Sequence, residues 1–133
     1  MAARFRRVTA AAAPEPPPGL FSNCLVAGDT IYVAGQHAGT AGGAPEGDTS
    51  MAGQTRTTLG KIKALVEAAG ASMADIVKLN VYTTDIAQRP AISEARRAFF
   101  AGDFPCSTLA EVKGLVHPDL LIEIEAIAVL RRG

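Results

Sequence analysis

The run from Ile122 to Val129 is the sequence feature that most restricts how this chain can fold. It reads Ile-Glu-Ile-Glu-Ala-Ile-Ala-Val, and successive side chains of a strand point to opposite faces of the sheet. Glu123 and Glu125 therefore share a face with Ile127 and Val129, and the opposite face is wholly apolar. Both faces of this strand are largely apolar, so both must be buried against another part of the chain or a neighbouring molecule.

The remaining sequence predicts an α+β fold in one domain spanning residues 1–133. Apolar runs bounded by Gly, Pro and Asp predict strands over residues 5–9, 20–26, 30–36, 76–83, 106–112 and 120–130. Two helices are predicted, one over 51–69 and one opening near Pro90, a residue tolerated in a first helical turn. This order predicts a mixed sheet with both helices on one face.

Each predicted helix has a single apolar stripe. Apolar residues recur at spacings of three and four in the first helix (Leu59, Ile62, Val66, Ala69), and the second helix has a shorter stripe (Ile92, Ala95, Phe99). Thr49 or Ser50 can cap the start of the first helix, and Gly70 can end it. Two such helices cover one face of the sheet, so a neighbouring subunit is the simplest cover for the face that carries Glu123 and Glu125.

Composition restricts the partners and the compartment. Thirteen Lys and Arg residues balance thirteen Asp and Glu residues, which argues against a protein that binds nucleic acid or an anionic membrane surface. No apolar run approaches the ~20 residues of a membrane helix. Cys24 and Cys106 form neither a disulfide framework nor a Cys-x-x-Cys motif, which favours a reducing, cytoplasmic location. The first 14 residues contain three arginines and no acid, a pattern that also suits an organellar presequence.

Four segments, taken together, resemble the RidA (YjgF) family. They are Ile31-Tyr32-Val33-Ala34-Gly35-Gln36, Glu67-Ala68-Ala69-Gly70-Ala71-Ser72, the strand from Ile76 to Asp85 and the run Ile122-Glu123-Ile124-Glu125-Ala126-Ile127-Ala128. The resemblance implies a chorismate-mutase-like fold, a homotrimer and small-molecule clefts between subunits. It also implies hydrolysis of reactive enamines or imines to ketones and ammonia.

The resemblance assigns roles to three positions, and one departs from the family pattern. It implies that Glu123 helps to position the attacking water and that Phe21 occupies a cleft position where relatives have tyrosine. The arginine that clamps a substrate carboxylate in the family's deaminases falls on Ser107. Serine offers one neutral donor where arginine offers two charge-assisted bonds. This departure predicts a substrate other than a simple 2-imino acid.

Other candidate residues have weaker signals. Gly35 lies within a predicted strand, where glycine permits either a close approach to a ligand or a bulge. Cys106 is a possible cleft residue beside Ser107, although nothing in the sequence lowers its pKa. Glu125 is interpreted as structural. His37 and His117 lack the spacing of metal ligands, so neither a metal nor a cofactor is predicted.

The sequence is compatible with three functions. The leading hypothesis is an enamine or imine deaminase in which Glu123 orients the water or transfers its proton. The alternative is a non-catalytic trimer that binds a small metabolite or has a regulatory role, and the missing arginine favours it. Ribonuclease activity, described for some relatives, is the weakest hypothesis because the chain is neutral and has few aromatic residues.

Overall fold

A computed structural model describes residues 4–131. Six strands in this part of the chain form one sheet, and two α-helices accompany them. The strands are β1 (Arg6–Val8), β2 (Cys24–Ala27), β3 (Thr30–His37), β4 (Ile76–Thr83), β5 (Cys106–Glu111) and β6 (Ile122–Val129). The helices are α1 (Met51–Ala68) and α2 (Arg89–Arg96).

The sheet is mixed, as the sequence predicted. Its strand order is β1-β2-β3-β6-β4-β5. Every neighbouring pair is antiparallel except β4 and β5, which run parallel because α2 makes the crossover between them. β6 lies in the centre of the sheet and β5 forms one edge. This placement puts the two glutamates on a central strand of the sheet, with Glu123 opposite the last residue of β3.

Helix α1 begins and ends at the residues that its sequence indicates. The Ser50 side chain accepts a hydrogen bond from the Gly53 N–H at 3.1 Å, which satisfies one of the free donors of the first turn. Gly70, just beyond the helix, has a φ of 98°, and this left-handed conformation ends helices at low cost for glycine. Pro90 lies in the first turn of α2, as predicted.

The buried Gln54 side chain joins α1 to the segment that enters β6. Its amide nitrogen donates to the carbonyls of Thr49 at 3.0 Å and Asp119 at 2.9 Å. Its oxygen accepts from the Leu121 N–H at 2.9 Å. Because a buried amide needs such partners, Gln54 fixes the start of the central strand relative to the helix layer.

The two faces of β6 differ as the alternation predicted. One face is buried against the helices and consists of Ile122, Ile124, Ala126 and Ala128. On the opposite face, Glu123, Glu125 and Ile127 are half-buried and Val129 is exposed. Tyr32, which pairs with Ile127 across β3 and β6, remains 50% exposed on this face. In the described chain, therefore, one face of the sheet lacks a covering layer.

Some boundaries differ from the prediction. Strand β2 begins at Cys24 instead of residue 20, because a turn with Gly19 at a φ of 86° precedes it. Strand β3 continues to His37 after a break in register between Val33 and Gln36. None of the helices in residues 4–131 has the length and apolar character needed to cross a bilayer.

Candidate active site

A cavity of about 300 Å³ opens beside the end of β3. Its walls include Phe21, Gly35, His37, Lys61 and Val116. Phe21 comes from the turn before β2, and Gly35 and His37 come from the last part of β3. Two residues expected in a ligand cleft, Phe21 and Gly35, therefore line one cavity.

The Glu123 carboxyl group packs against Gly35, one of the residues that line this cavity. The break in the β3–β6 register spans residues 34 and 35, so Gly35 lies at a bulge. A Cβ atom placed on Gly35 would lie 2.8 Å from Glu123 Cδ and 3.1 Å from Glu123 Oε2. Glycine thus leaves the space that the Glu123 carboxyl group occupies. Gly35 therefore lies at a bulge and also permits a close approach, and the group that approaches it is the Glu123 side chain.

The structure separates the two glutamates of β6 by their surroundings. Glu125 Oε1 accepts hydrogen bonds from Asn80 Nδ2 at 2.9 Å and from the Tyr82 hydroxyl at 3.0 Å. Within residues 4–131, no hydrogen-bond donor or cation is found for the half-buried Glu123 carboxyl group. Burial, and secondarily the nearby Glu125 charge, raises the pKa of Glu123. Glu123 is the glutamate with free acceptor atoms.

His37, for which the sequence indicated no site role, lies next to Glu123. The two residues are direct partners across β3 and β6. His37 Nδ1 accepts a hydrogen bond from the Gly39 N–H at 3.0 Å. Lys61 Nζ donates to the carbonyls of His37 and Gly39, each at 2.7 Å. Burial, followed by the Lys61 charge, lowers the pKa of His37, so the ring is neutral near pH 7.

Ser107 lies on the edge strand β5 and forms a hydrogen bond that the sequence did not predict. It pairs with Leu79 in the parallel β4–β5 register, which places it on the helix side. Arg96 of α2 donates from Nη1 to Ser107 Oγ at 2.8 Å. Burial lowers the pKa of Arg96 without discharging it. In the described chain Arg96 forms no ion pair with a carboxylate.

The two cysteines have opposite environments. Cys106 is exposed at the start of β5. Cys24 is buried in the core, and this burial raises the pKa of its thiol to about 11. A thiol with so high a pKa is almost fully protonated at pH 8 and reacts slowly with electrophiles.

Within one chain, the predicted site residues form two groups. Phe21 and Gly35 line the cavity beside β3, and the Glu123 carboxyl group packs against Gly35. Ser107 and Cys106 lie on β5, with β4 between that strand and β6. Neighbouring strands are about 4.8 Å apart, so a small ligand at Glu123 does not reach Ser107 of the same chain. Among the described residues, no group of three His, Cys, Asp or Glu side chains could hold a metal ion.

Comparison with known proteins establishes the family. The family model described as Endoribonuclease L-PSP matches residues 11–130. The crystal structure of the YjgF gene product of Escherichia coli is 34% identical, with a TM-score of 0.83 over 95% of this chain and 99% of that one. The chain belongs to the RidA/YjgF family.

Other RidA/YjgF relatives have different names and degrees of similarity to this chain. A RutC family protein of Pyrococcus horikoshii is 38% identical over 114 residues, covering 84% of this chain and 88% of the relative. A 2-iminobutanoate/2-iminopropanoate deaminase of Dermatophagoides farinae is 30% identical over 125 residues, covering 94% and 96%. A Pseudomonas aeruginosa protein of unknown function has a crystal structure with 45% identity and a TM-score of 0.83, over 95% and 92% of the two chains.

Three polar residues of this RidA/YjgF chain were missed as candidate site residues. Lys61 and Arg96 are charged helical residues, a type that is most often found at the surface without a role in a site. His37 follows a bulge, and a bulge changes which face the next side chain takes. Only the alignment of β3 against β6 places His37 opposite Glu123. Polar residues stand at the end of β3 and near the start of β6, but these residue types did not specify the register.

Proposed function

We propose that this RidA/YjgF protein hydrolyses small imines or enamines to a carbonyl compound and ammonia. The observation that supports this function is the Glu123 carboxyl group, which packs against Gly35 of the cavity wall, is half-buried and has no hydrogen-bond partner within residues 4–131. Its raised pKa makes it a stronger base than an ordinary glutamate when it is ionised. Glu125 is instead bound by Asn80 and Tyr82, which suits a structural role.

The reaction requires two proton transfers that one carboxyl group can perform. Water adds to the C=N carbon while Glu123 accepts a proton from the water. The π electrons move to nitrogen, and Glu123 returns the proton to that nitrogen, giving a carbinolamine. A second transfer, from the new hydroxyl group to nitrogen, accompanies cleavage of the C–N bond and releases ammonia. No cofactor takes part in this scheme.

The proposed cleft lies between copies of the chain. Ser107 and Cys106 are separated from the Glu123 cavity by β4 in one chain, so a second copy is required to bring them to it. The sheet face with Tyr32, Glu125 and Ile127 also needs a cover. A homotrimer, the assembly implied by the resemblance, meets both requirements. We also propose that residues 1–133 form a single domain in each copy.

The contact between Arg96 and Ser107 widens the proposed range of substrates. The serine predicted a substrate other than a simple 2-imino acid, because it supplies no charge. Arg96 places a guanidinium 2.8 Å from that hydroxyl, and a guanidinium has five N–H donors, of which this contact uses one. A carboxylate bound at Ser107 would meet this positive charge. The proposed substrates therefore include 2-imino acids, the class named for the Dermatophagoides farinae relative.

Ammonia release from imines generated in situ tests the proposal. The panel contains 2-iminobutanoate, its amide and an imine without an acyl group, each corrected for spontaneous hydrolysis. We expect wild-type protein to accelerate ammonia release from at least one of them. If no imine reacts faster with the protein while the product ketones still bind it, the non-catalytic metabolite-binding trimer becomes the better account.

A further inference from the structure

The His37 ring stands beside the proposed water-binding carboxylate. His37 and Glu123 are direct cross-strand partners on antiparallel strands, and the Cβ atoms of such partners lie about 5 Å apart on the same face. His37 lines the cavity together with Gly35, over which the Glu123 carboxyl group packs. A small molecule bound against His37 in this cavity would therefore lie close to the Glu123 side chain.

The hydrogen bonds of the ring determine which nitrogen carries the proton. Nδ1 accepts from the Gly39 N–H, so in the neutral ring the proton is on Nε2. No acceptor for Nε2 is found among residues 4–131. A neutral ring is favoured because burial and the Lys61 charge lower the pKa of His37. His37 thus offers one neutral N–H donor that the fold does not use.

The fold also holds the ring in place. Lys61 Nζ binds the carbonyls of both His37 and Gly39, which tethers the end of β3 to helix α1. A Cβ atom on Gly39 would lie 2.7 Å from His37 Cε1, so the ring packs directly on the Gly39 backbone. Lys61 and Gly39 act as positioning residues for the imidazole.

We propose that His37 is a second catalytic residue, whose Nε2–H donates a hydrogen bond to the substrate nitrogen while Glu123 acts on the water. This inference rests on the proposed imine hydrolysis. As water adds, the π electrons of C=N become a lone pair on nitrogen, and the Nε2–H dipole stabilises that charge. The nitrogen receives its proton from Glu123, so His37 keeps its own proton throughout. A neutral imidazole suits this role because it donates without competing for the proton.

His37→Phe and His37→Gln test the role of the donor. Phenylalanine removes the Nε2–H at similar size, whereas the glutamine amide can still donate. We expect His37→Phe to lower kcat about 100-fold, the usual scale for one lost donor of this kind, with less than a threefold change in KM. His37→Gln should recover at least a tenth of the wild-type kcat.

His117→Phe is the matched control. His117 Nδ1 also accepts from the backbone N–H two residues later, that of Asp119 at 3.1 Å, but its side chain is not part of the cavity wall. A melting temperature for every variant separates lost chemistry from lost folding. We expect His117→Phe to retain wild-type kcat.

Each alternative outcome has a distinct meaning. An active wild type together with a folded His37→Phe variant of unchanged kcat overturns the role of His37 and leaves the proposed function standing. Equal losses in His37→Phe and His37→Gln also overturn it, because a donor would be irrelevant. A wild type that hydrolyses none of the imines overturns the proposed function, and the role of His37 falls with it.

Discussion

At the scale of single residues, the two glutamates of β6 illustrate how position determines role. The pKa of Glu123 is raised by burial and by Glu125, so the folded chain holds this proton to a higher pH than the unfolded chain does. The contribution of Glu123 to stability is therefore greatest below the unfolded pKa and is lost as pH rises through the folded pKa. A carboxyl group that costs stability when ionised at neutral pH is typical of a functional position.

Arg96 gives a residue-scale prediction about substrate binding. Arg96→Met should raise KM for 2-iminobutanoate about 10- to 100-fold, because a charge-assisted hydrogen bond to a carboxylate is lost. The matched control is Arg97→Met, since the adjacent Arg97 is exposed and pairs with Glu94 at the surface. Steady-state kinetics on both variants provide the measurement. Equal KM values for the two variants would remove Arg96 from substrate recognition.

The cysteines give a second residue-scale prediction. At pH 8 in native protein, iodoacetamide should modify Cys106 and leave Cys24 unmodified, because Cys24 is buried and its thiol pKa is about 11. Modification of both thiols should require denaturant. Mass spectrometry of peptides after timed labelling provides the check, and rapid native labelling of Cys24 would contradict the described core.

At the scale of elements, helix α1 depends on Gln54 for its connection to the sheet. Gln54→Met should destabilise the protein by about 3 kcal/mol, because Asp119 C=O and Leu121 N–H lose their buried partner. Arg56→Met, two residues further along the same helix, removes only a surface ion pair with Asp48 and should cost less than about 1 kcal/mol. Urea unfolding of both variants measures the difference. Similar midpoints would show that the Gln54 clamp is unimportant.

The elements were largely predictable from the sequence, and their pairing was not. Alternation and helical periodicity located both helices and the position of every strand, because the periods of 2 and 3.6 reflect backbone geometry directly. The sequence allowed two interpretations of Gly35, a bulge or a close approach to a ligand, because a glycine residue does not indicate which group approaches it. His37 and Arg96 gained their positions from strand register and helix packing, which are properties of the assembled chain. Periodicity does not contain that information.

At the scale of the whole molecule, the uncovered sheet face predicts an oligomer. Ile127 and its cross-strand partner Tyr32 form an apolar pair on that face, and burying them between copies gains the stability of apolar contact. Light scattering should show three chains for the wild type at micromolar concentration. A stable monomer would contradict the proposed trimer and the cleft between copies.

A charge on that face should dissociate the assembly. We expect Ile127→Lys to lower the mass measured by light scattering, because a buried lysine without a partner is costly. Phe5→Lys is the control, as it changes a side chain that is 54% exposed just before the edge strand β1. The proposed assembly predicts that Phe5→Lys remains a trimer. If Ile127→Lys is also a trimer, the interface between copies does not include Ile127.

The central claim is that Glu123 acts on the water during imine hydrolysis, and Glu123→Gln tests it most directly. Turnover and melting temperature should be measured on the same samples of Glu123→Gln and Glu125→Gln. The account predicts that Glu123→Gln loses turnover about 100-fold or more with an unchanged or higher melting temperature at pH 7. Glu125→Gln should instead lose stability, because it weakens the bonds to Asn80 and Tyr82, and should keep most turnover per folded protein. A stable Glu123→Gln variant with wild-type turnover would contradict the account.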